Sequence, residues 1–148
     1  MAVPSHLEPS FEPDPGALEP LDEAVCRVLL KSVPIGRIVF THQALPRIQP
    51  VSYALDGDDV VIRVPAASKV AQAVQDAVVA FEIDDFDEPS RTGWSVVVVG
   101  HARREDSPAA IAALRRLGLR SWGDGPGDAF IRIVPEILSG RRVRDLRP

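Results

Sequence analysis

The sequence predicts a mainly β (α+β) protein, an antiparallel barrel with short helices packed at its ends. The first observation is the pair Asp56-Gly57, which stands between two apolar runs. Such a pair favours a tight hairpin turn, because Gly tolerates a positive φ. The second observation is that short runs rich in Val and Ile outnumber the segments with helical spacing. Consecutive strands joined by hairpins indicate an antiparallel barrel.

Length and charge restrict the class of protein. A chain of 148 residues that is 45% hydrophobic forms one globular domain with its own core. Its net charge of −4 argues against a nucleic-acid partner. The single cysteine, Cys26, cannot form an internal disulfide and suits a reducing compartment. Apolar runs such as Val96–Val99 are too short to span a membrane, and no signal peptide is recognisable, so we expect a cytoplasmic protein.

The chain begins with a segment unlike the rest. Residues 1–17 are rich in Pro and acidic residues, so we expect a flexible head, or an arm that lies across a partner subunit, before a domain at 18–148. A helix follows with Pro20 in its first turn, and it ends before Pro34. Its inward stripe is predicted to be Leu18, Leu21, Val25, Val28 and Leu29. Cys26, within this helix, is expected to be a packed or surface thiol rather than a nucleophile.

The middle of the chain reads as strand, hairpin and helix. Ile35–His42 is a strand followed by a loop that reaches Pro46. The hairpin spans residues 47–64 and ends at Pro65. A short helix at Ser68–Gln75 is expected next, with three small or branched residues turned inward: Val70, Ala71 and Val74.

The second half is mostly extended. Ala77–Ile83 reads as a buried strand, and a solvated acidic loop without a metal is expected to follow at Asp84, Asp85, Asp87 and Glu88. A long strand spans Gly93–Glu105, with Val96–Val99 buried on both faces. A helix capped by Asp106 or Ser107 is expected next, with three residues turned inward: Ile111, Leu114 and Leu117. The chain then continues with a flexible loop at Gly123–Asp128, a strand at Phe130–Val134 and an extended piece at Ile137–Val143.

The most specific chemistry lies where the hairpin meets the short helix. Arg63 ends a strand, and Ser68 and Lys69 open a helix. A guanidinium, a hydroxyl and an ammonium beside the free N–H groups of a helix start suit a phosphate. No catalytic triad or metal-ligand spacing is present, and the histidines His6, His42 and His101 are scattered. Such a chain either takes its chemistry from a cofactor or is not an enzyme.

These residues resemble the pyridoxamine 5′-phosphate oxidase-like family of flavin-binding split β-barrels. The resemblance rests on Arg63 and on five short stretches in order: Pro50–Tyr53, Ser68-Lys69, Phe81–Asp84, Gly93–Gly100 and Gly140–Arg142. It implies a split barrel and a homodimer with two cofactor sites between the subunits.

The resemblance also implies a role for individual residues. Arg63, Ser68 and Lys69 would hold the phosphate of FMN, close to Val64. The backbone of Pro50, Val51 and Ser52 would lie beside the isoalloxazine ring. The other subunit would contribute Trp94 and Ser95, and Arg141 would contact cofactor or substrate. Pyridoxamine phosphate oxidase activity itself is not expected, since the additional substrate-phosphate residues have no counterpart here.

Three functions remain open. The first is an FMN-dependent oxidoreductase that passes hydride or electrons to a small-molecule substrate. The second is a reductase that uses the deazaflavin F420, whose longer anionic tail would need a basic groove such as Arg103, Arg104, Arg115 and Arg116. The third is a non-catalytic flavin- or haem-binding module, or an empty scaffold. Val64 and Ala67 support the third, because relatives commonly carry Thr and Gly there.

Overall fold

A computed structural model describes residues 18–121 and 127–144, which form seven strands and three helices. The head predicted for 1–17 and most of the loop predicted for Gly123–Asp128 lie outside the described residues. The elements in chain order are β1 Leu18–Pro20, α1 Glu23–Leu29, β2 Ile35–His42, β3 Leu45–Asp56, β4 Asp59–Pro65, α2 Lys69–Ala73, β5 Gln75–Asp87, β6 Thr92–Arg104, α3 Pro108–Arg115 and β7 Asp128–Val143.

All strand pairs are antiparallel, and six of the strands close into a barrel. The sheet runs in the order β1-β7-β4-β3-β2-β5-β6, and β6 pairs again with β7. The ring is therefore β7-β4-β3-β2-β5-β6, with β1 added on β7 beyond the end of β4. Closure leaves no free edge in the ring, which confirms the antiparallel barrel. No helix in the described part of the chain is long and apolar enough to cross a membrane.

Strand β7 closes the barrel because it is long enough to pair along both edges. It has 16 residues where the sequence indicated two separate pieces. A register shift opposite Gly100 leaves Glu136 without a strand partner, a β-bulge that bends β7 between its two halves. A Cβ atom on Gly100 would lie 1.9 Å from the carbonyl oxygen of Val134, so only glycine allows the strands to approach here.

Every second side chain along each strand points into the barrel and fills its interior. Ile38, Val51 and Ile62 are all at most 1% exposed, as expected for strands with one face inward. Tyr53 is also inside, where its hydroxyl donates a 2.6 Å hydrogen bond to the carbonyl of Leu30. Burial raises the pKa of Tyr53 to about 12. The core therefore extends from the barrel to the end of α1.

The β3–β4 hairpin is fixed to β7 by one arginine. Arg132 donates to Glu105, Asp59 and Asp56 at 2.8, 2.9 and 2.8 Å. These carboxylates raise the pKa of Arg132 against the opposing effect of its burial. Since Arg132 is only 12% exposed, its charge is stabilised by carboxylates rather than by water.

The first helix and its stripe differ from the prediction. Pro20 belongs to strand β1, and Asp22 is the N-cap of α1. Val25 and Val28 are exposed, at 36% and 68%, whereas Cys26 is fully buried. The helix starts later than predicted, so its inward face is rotated toward Cys26. Of the two alternatives predicted for this thiol, packed or on the surface, the structure shows the packed one.

Several boundaries also differ. The loop predicted after His42 is a two-residue turn, in which Gln43 and Ala44 adopt positive φ. Helix α2 stops at Ala73, because Gln75 already belongs to β5. The predicted acidic loop is mostly strand: β5 continues to Asp87, and only Glu88 lies in the turn. Strand pairing with β6 overrides the low strand propensity of aspartate.

Replacing Gly100 with alanine tests the closure of the barrel. The added methyl group would overlap the Val134 backbone, so we expect Gly100→Ala to lower the free energy of unfolding by about 3 kcal/mol or more. Gly118→Ala is the control: its φ is +71° and no atom lies within 4 Å, so only the left-handed backbone, about 1 kcal/mol, is lost. Urea unfolding of both variants measures the difference. Equal losses would contradict the steric argument.

Candidate functional site

The predicted phosphate residues meet where β4 passes into α2. Ser68 is the N-cap of α2, and its hydroxyl oxygen accepts a hydrogen bond from the N–H of Ala71. Its own O–H is still available to donate. Lys69 is exposed, and its ammonium has no bonded partner within residues 18–121 and 127–144. Ser68 and Lys69 can therefore both donate to an anion.

Arg63 lies close by but is already engaged. Its guanidinium pairs with Asp128 at 2.8 Å and donates to the Leu119 carbonyl at 2.9 Å. It also stacks over the Phe130 ring, 5.2 Å from the centroid. These contacts hold the start of β7 and the segment after α3 against β4. Two of the five N–H groups of Arg63 remain for a ligand, so its predicted phosphate contact stays a prediction.

The residues predicted beside the isoalloxazine ring and close to the phosphate lie on both faces of the barrel wall. Pro50 and Ser52 are at outward positions of β3. Val51 and Val64 are 1% exposed and belong to the core. Val51 and Val64 can therefore offer a ligand only backbone atoms.

The outer wall of β6 and β7 carries an apolar depression, which we call the outer groove. Its volume is about 320 Å³, and it is lined by Ser95, Val97, Val99, Ile137, Ser139, Gly140 and Arg141. Ser95 and Arg141 face each other directly across the two strands. The groove combines an apolar floor with two hydroxyls and one guanidinium, a composition typical of small-molecule sites.

Two sequence predictions change at the outer groove. Val97 and Val99 are not buried on both faces, because their side chains line the groove while Val96 and Val98 fill the core. Trp94 and Ser95 also point to opposite sides of β6. Trp94 packs against the core cluster, and only Ser95 reaches the groove.

The two halves of the predicted site are far apart in one subunit. β3 and β6 are separated by three strand steps in either direction round the six-stranded ring. Three steps correspond to about 14 Å along the wall, and outward side chains on opposite sides of a barrel point away from each other. A single subunit therefore does not bring Ser52 and Ser95 to one ligand.

Beside the outer groove lies a cluster that the sequence analysis did not identify as a site. Glu82 is directly opposite Val97, and Asp84 is directly opposite Ser95. Arg37 on β2 reaches both carboxylates, at 3.4 Å for Glu82 and 3.1 Å for Asp84. The two acidic side chains are 24% and 29% exposed. We call Glu82 and Asp84 the carboxyl pair.

Burial raises the pKa of Glu82 to about 7, and the hydrogen bond and negative charge of Asp84 add to this effect. The positive charge of Arg37 lowers the pKa of Glu82, but by less than burial and Asp84 raise it. The pair therefore holds a proton near neutral pH. The signal in the sequence was the spacing of the two acids: Glu82 and Asp84 are two residues apart, so a strand places both on one face.

Other polar groups have simpler surroundings. Arg103 and Arg104 line a cleft of about 380 Å³ that also contains Asp76 and Asp106, whereas Arg115 and Arg116 do not line it. The basic groove expected for a long anionic tail is thus a cleft with balanced charges. In the described part of the chain, no three His, Cys, Asp or Glu side chains cluster as a metal site would require.

The chain matches a known protein family and solved structures that have the same architecture. A family model described as pyridoxamine 5′-phosphate oxidase matches residues 22–142. An uncharacterized protein of Mycobacterium tuberculosis is 41% identical over 128 residues, which cover 83% of this chain and 84% of the relative.

Two solved structures extend the comparison. An FAD-binding protein from Mycobacterium smegmatis superposes with a TM-score of 0.71 at 34% identity, covering 85% of this chain and 98% of its own. A putative pyridoxamine 5′-phosphate oxidase from Corynebacterium glutamicum has a TM-score of 0.76 at 26% identity, covering 92% of this chain and 100% of its own. The fold is the split barrel of these proteins.

The raised pKa of Glu82 makes stability depend on pH. The folded-state pKa of about 7 lies above the ordinary 4.5, so the folded protein binds more protons than the unfolded chain between these values. The contribution of Glu82 is complete below about pH 4.5 and is lost as the pH rises through 7. Glu82→Gln, which stays neutral, lacks this dependence.

We expect the stability of the wild type relative to Glu82→Gln to fall by about 1 to 3 kcal/mol between pH 5 and pH 8. Urea unfolding at the two pH values measures this difference. Glu88→Gln, an exposed substitution in the turn after β5, is the matched control. A Glu82→Gln difference no larger than that of the control would contradict the raised pKa.

Proposed function

This chain belongs to the pyridoxamine 5′-phosphate oxidase family, and we propose that it is a flavin-binding oxidoreductase that acts as a homodimer. The observation that carries this proposal is Lys69 beside the Ser68 cap, with an ammonium that none of the described residues pairs. A relative with the same fold and 34% identity is named as an FAD-binding protein. A free ammonium and a hydroxyl at the end of a barrel strand are the donors that a flavin phosphate requires.

The donor chemistry around α2 fits an anionic phosphate. Lys69 supplies a full positive charge without first breaking an ion pair, and Ser68 supplies an O–H. The remaining N–H groups of Arg63 can add to these while its pair with Asp128 is kept. The fit is therefore strongest for Lys69 and Ser68 and weaker for Arg63.

A second copy of the chain would complete the site. Pro50 and Ser52 lie on the opposite side of the barrel from Ser95, so two subunits are needed to bring these residues to one ligand. The outer wall also carries exposed apolar side chains, among them Val78, Val134 and Ile137. Such a surface is typical of a contact between subunits. In this arrangement the outer groove of one subunit faces the phosphate residues of the other.

When bound, a reduced flavin would supply a hydride, which is equivalent to two electrons and one proton. The protein contributes position and electrostatics. Ser68 and Lys69 hold the phosphate, and backbone groups of Pro50–Ser52 orient the ring. The floor of the outer groove excludes water, while Ser95 and Arg141 orient a small substrate by hydrogen bonding. The substrate itself is apolar over most of its surface, with one group that accepts hydrogen bonds.

The phosphate residues favour FMN as the flavin. FAD is the other candidate, because a relative with the same fold is named as an FAD-binding protein. F420 is the alternative cofactor on the same fold. The balanced charges of the Arg103–Arg104 cleft give its anionic tail little support. Titrations with FMN, FAD and F420 separate the three. If none binds or raises the melting temperature, the protein is a scaffold or holds a different group.

Lys69→Ala tests the phosphate contact. Loss of one charge-assisted hydrogen bond should weaken FMN binding about tenfold or more, measured by the quenching of flavin fluorescence. Lys31→Ala is the matched control, since both lysines are exposed. We expect neither substitution to change the melting temperature of the flavin-free protein. Wild-type affinity in Lys69→Ala would overturn this assignment of the phosphate site.

Ile137→Lys tests the role of the second subunit. A charge on the outer groove, where Ile137 is 39% exposed, should convert the dimer to monomer and weaken FMN binding. Val28→Lys on α1, at a residue that is 68% exposed, is the control and should do neither. Sedimentation velocity and flavin titration provide the two measurements. A monomeric wild type that still binds flavin would refute the shared site.

A further inference from the structure

The carboxyl pair is a cluster of ionisable groups beside the outer groove that the proposed cofactor and substrate contacts leave unused. Each member lies one strand from a groove residue: Glu82 opposite Val97, and Asp84 opposite Ser95. Directly opposed residues of antiparallel strands have Cβ atoms about 4.5 to 5.5 Å apart. A ligand in the groove is therefore within one side-chain length of Glu82.

We propose that Glu82 is the proton donor for the substrate reduced in the outer groove, with Asp84 as the residue that helps to keep it protonated and Arg37 as the residue that holds it in position. This inference rests on the proposed flavin chemistry and adds a catalytic residue to it. Reduction of a polarised double bond by a hydride leaves an electron pair on an oxygen, nitrogen or carbon, and that atom must receive a proton.

The charges that face Glu82 explain why it can hold the proton. On its own strand, the Asp84 carboxylate accepts a hydrogen bond and disfavours a second negative charge. From β2, Arg37 supplies a positive charge, and Arg141 on β7 lies one strand beyond Ser95. From β6, the opposing side chain is the apolar Val97. Burial has the largest effect, because it disfavours the ionised form of Glu82, and the negative charge of Asp84 adds to it.

The reduced flavin would be the hydride donor: its bond to the transferred hydrogen breaks and it is oxidised by two electrons. The hydride forms a new bond to one atom of the substrate, and the electron pair of the π bond moves to the other atom. The carboxylic O–H bond of Glu82 breaks, and its proton bonds to that second atom. The substrate is reduced by two electrons and Glu82 becomes a carboxylate. Water then returns a proton to the pair, whose side chains are 24% and 29% exposed.

The first test uses the flavin-free protein and does not depend on activity. Carboxyl carbon NMR of protein labelled with ¹³C-glutamate, with Glu82→Gln to assign the signal, follows the titration of Glu82. We expect a midpoint more than one pH unit above that of exposed glutamates. Asp84→Asn should lower it. A midpoint in the ordinary range for glutamate would overturn the proposal.

The second test compares two electron acceptors in single turnovers of the photoreduced, FMN-loaded protein. 1,4-Benzoquinone takes up protons with its electrons, whereas ferricyanide takes up electrons alone. Glu82→Gln should slow reoxidation by benzoquinone about tenfold or more and leave reoxidation by ferricyanide unchanged. Glu88→Gln should change neither.

The outcomes separate the two proposals. Failure of the wild type to bind either FMN or FAD would refute the flavin function, whatever the titration of Glu82 shows. Normal FMN binding by Glu82→Gln, with wild-type rates for both acceptors, would refute the proton-donor role alone. Equal slowing with both acceptors would show that Glu82 acts on the flavin site as a whole, and would also refute it.

Discussion

Strand β7 is hydrogen-bonded along both of its edges, and the rest of the barrel depends on that double pairing. Its first half pairs with β4, and the larger part of its length pairs with β6. A straight strand of this length could not follow both neighbours round the ring. The bulge at Glu136 and the close approach at Gly100 provide the bend. The same bend lays residues 137–141 along the outer wall, where they form one side of the outer groove.

The chain contains two clusters of buried or half-buried charges with opposite balances. Arg132 is surrounded by three carboxylates, so its positive charge is fully compensated and the cluster fixes the β3–β4 hairpin. At the carboxyl pair the ratio is reversed, with Arg37 paired to both Glu82 and Asp84. A shortage of positive charge is resolved by binding a proton rather than by breaking the structure. The first cluster therefore stabilises the fold, and the second provides chemistry near neutral pH.

The placement of the site follows from the geometry of a closed barrel. The outward side chains of one strand point away from the outward side chains of the strand on the opposite side of the barrel. A small barrel therefore cannot enclose a cofactor on its outer surface. Two barrels placed side by side, as in the proposed dimer, could enclose one. The proposed phosphate residues around α2 and the outer groove of β6 and β7 would then be two halves of one site, each incomplete in its own subunit.

Local patterns in the sequence determined much of this structure. The hairpin at Gly57, the cap at Ser68 and the strand after Gly93 follow from turn, capping and strand signals that act within a few residues. The same signals brought Ser68 and Lys69 together at the start of α2. Alternation along a strand also fixed Val51 as inward and Ser52 as outward.

Tertiary structure decided what depends on partners distant in the chain. Asp84 and Asp85 read as loop residues because aspartate disfavours strands, and only pairing with β6 keeps them extended. Val97 and Val99 read as core because a run of valines carries no sign of which face is covered. The spacing of Glu82 and Asp84 places them on one face of a strand, but the raised pKa of Glu82 comes mainly from burial, which depends on β2 and β6 packing on either side of β5. Sequence determines which face a side chain takes along its strand, whereas closure of the barrel determines which charges and apolar groups that face meets.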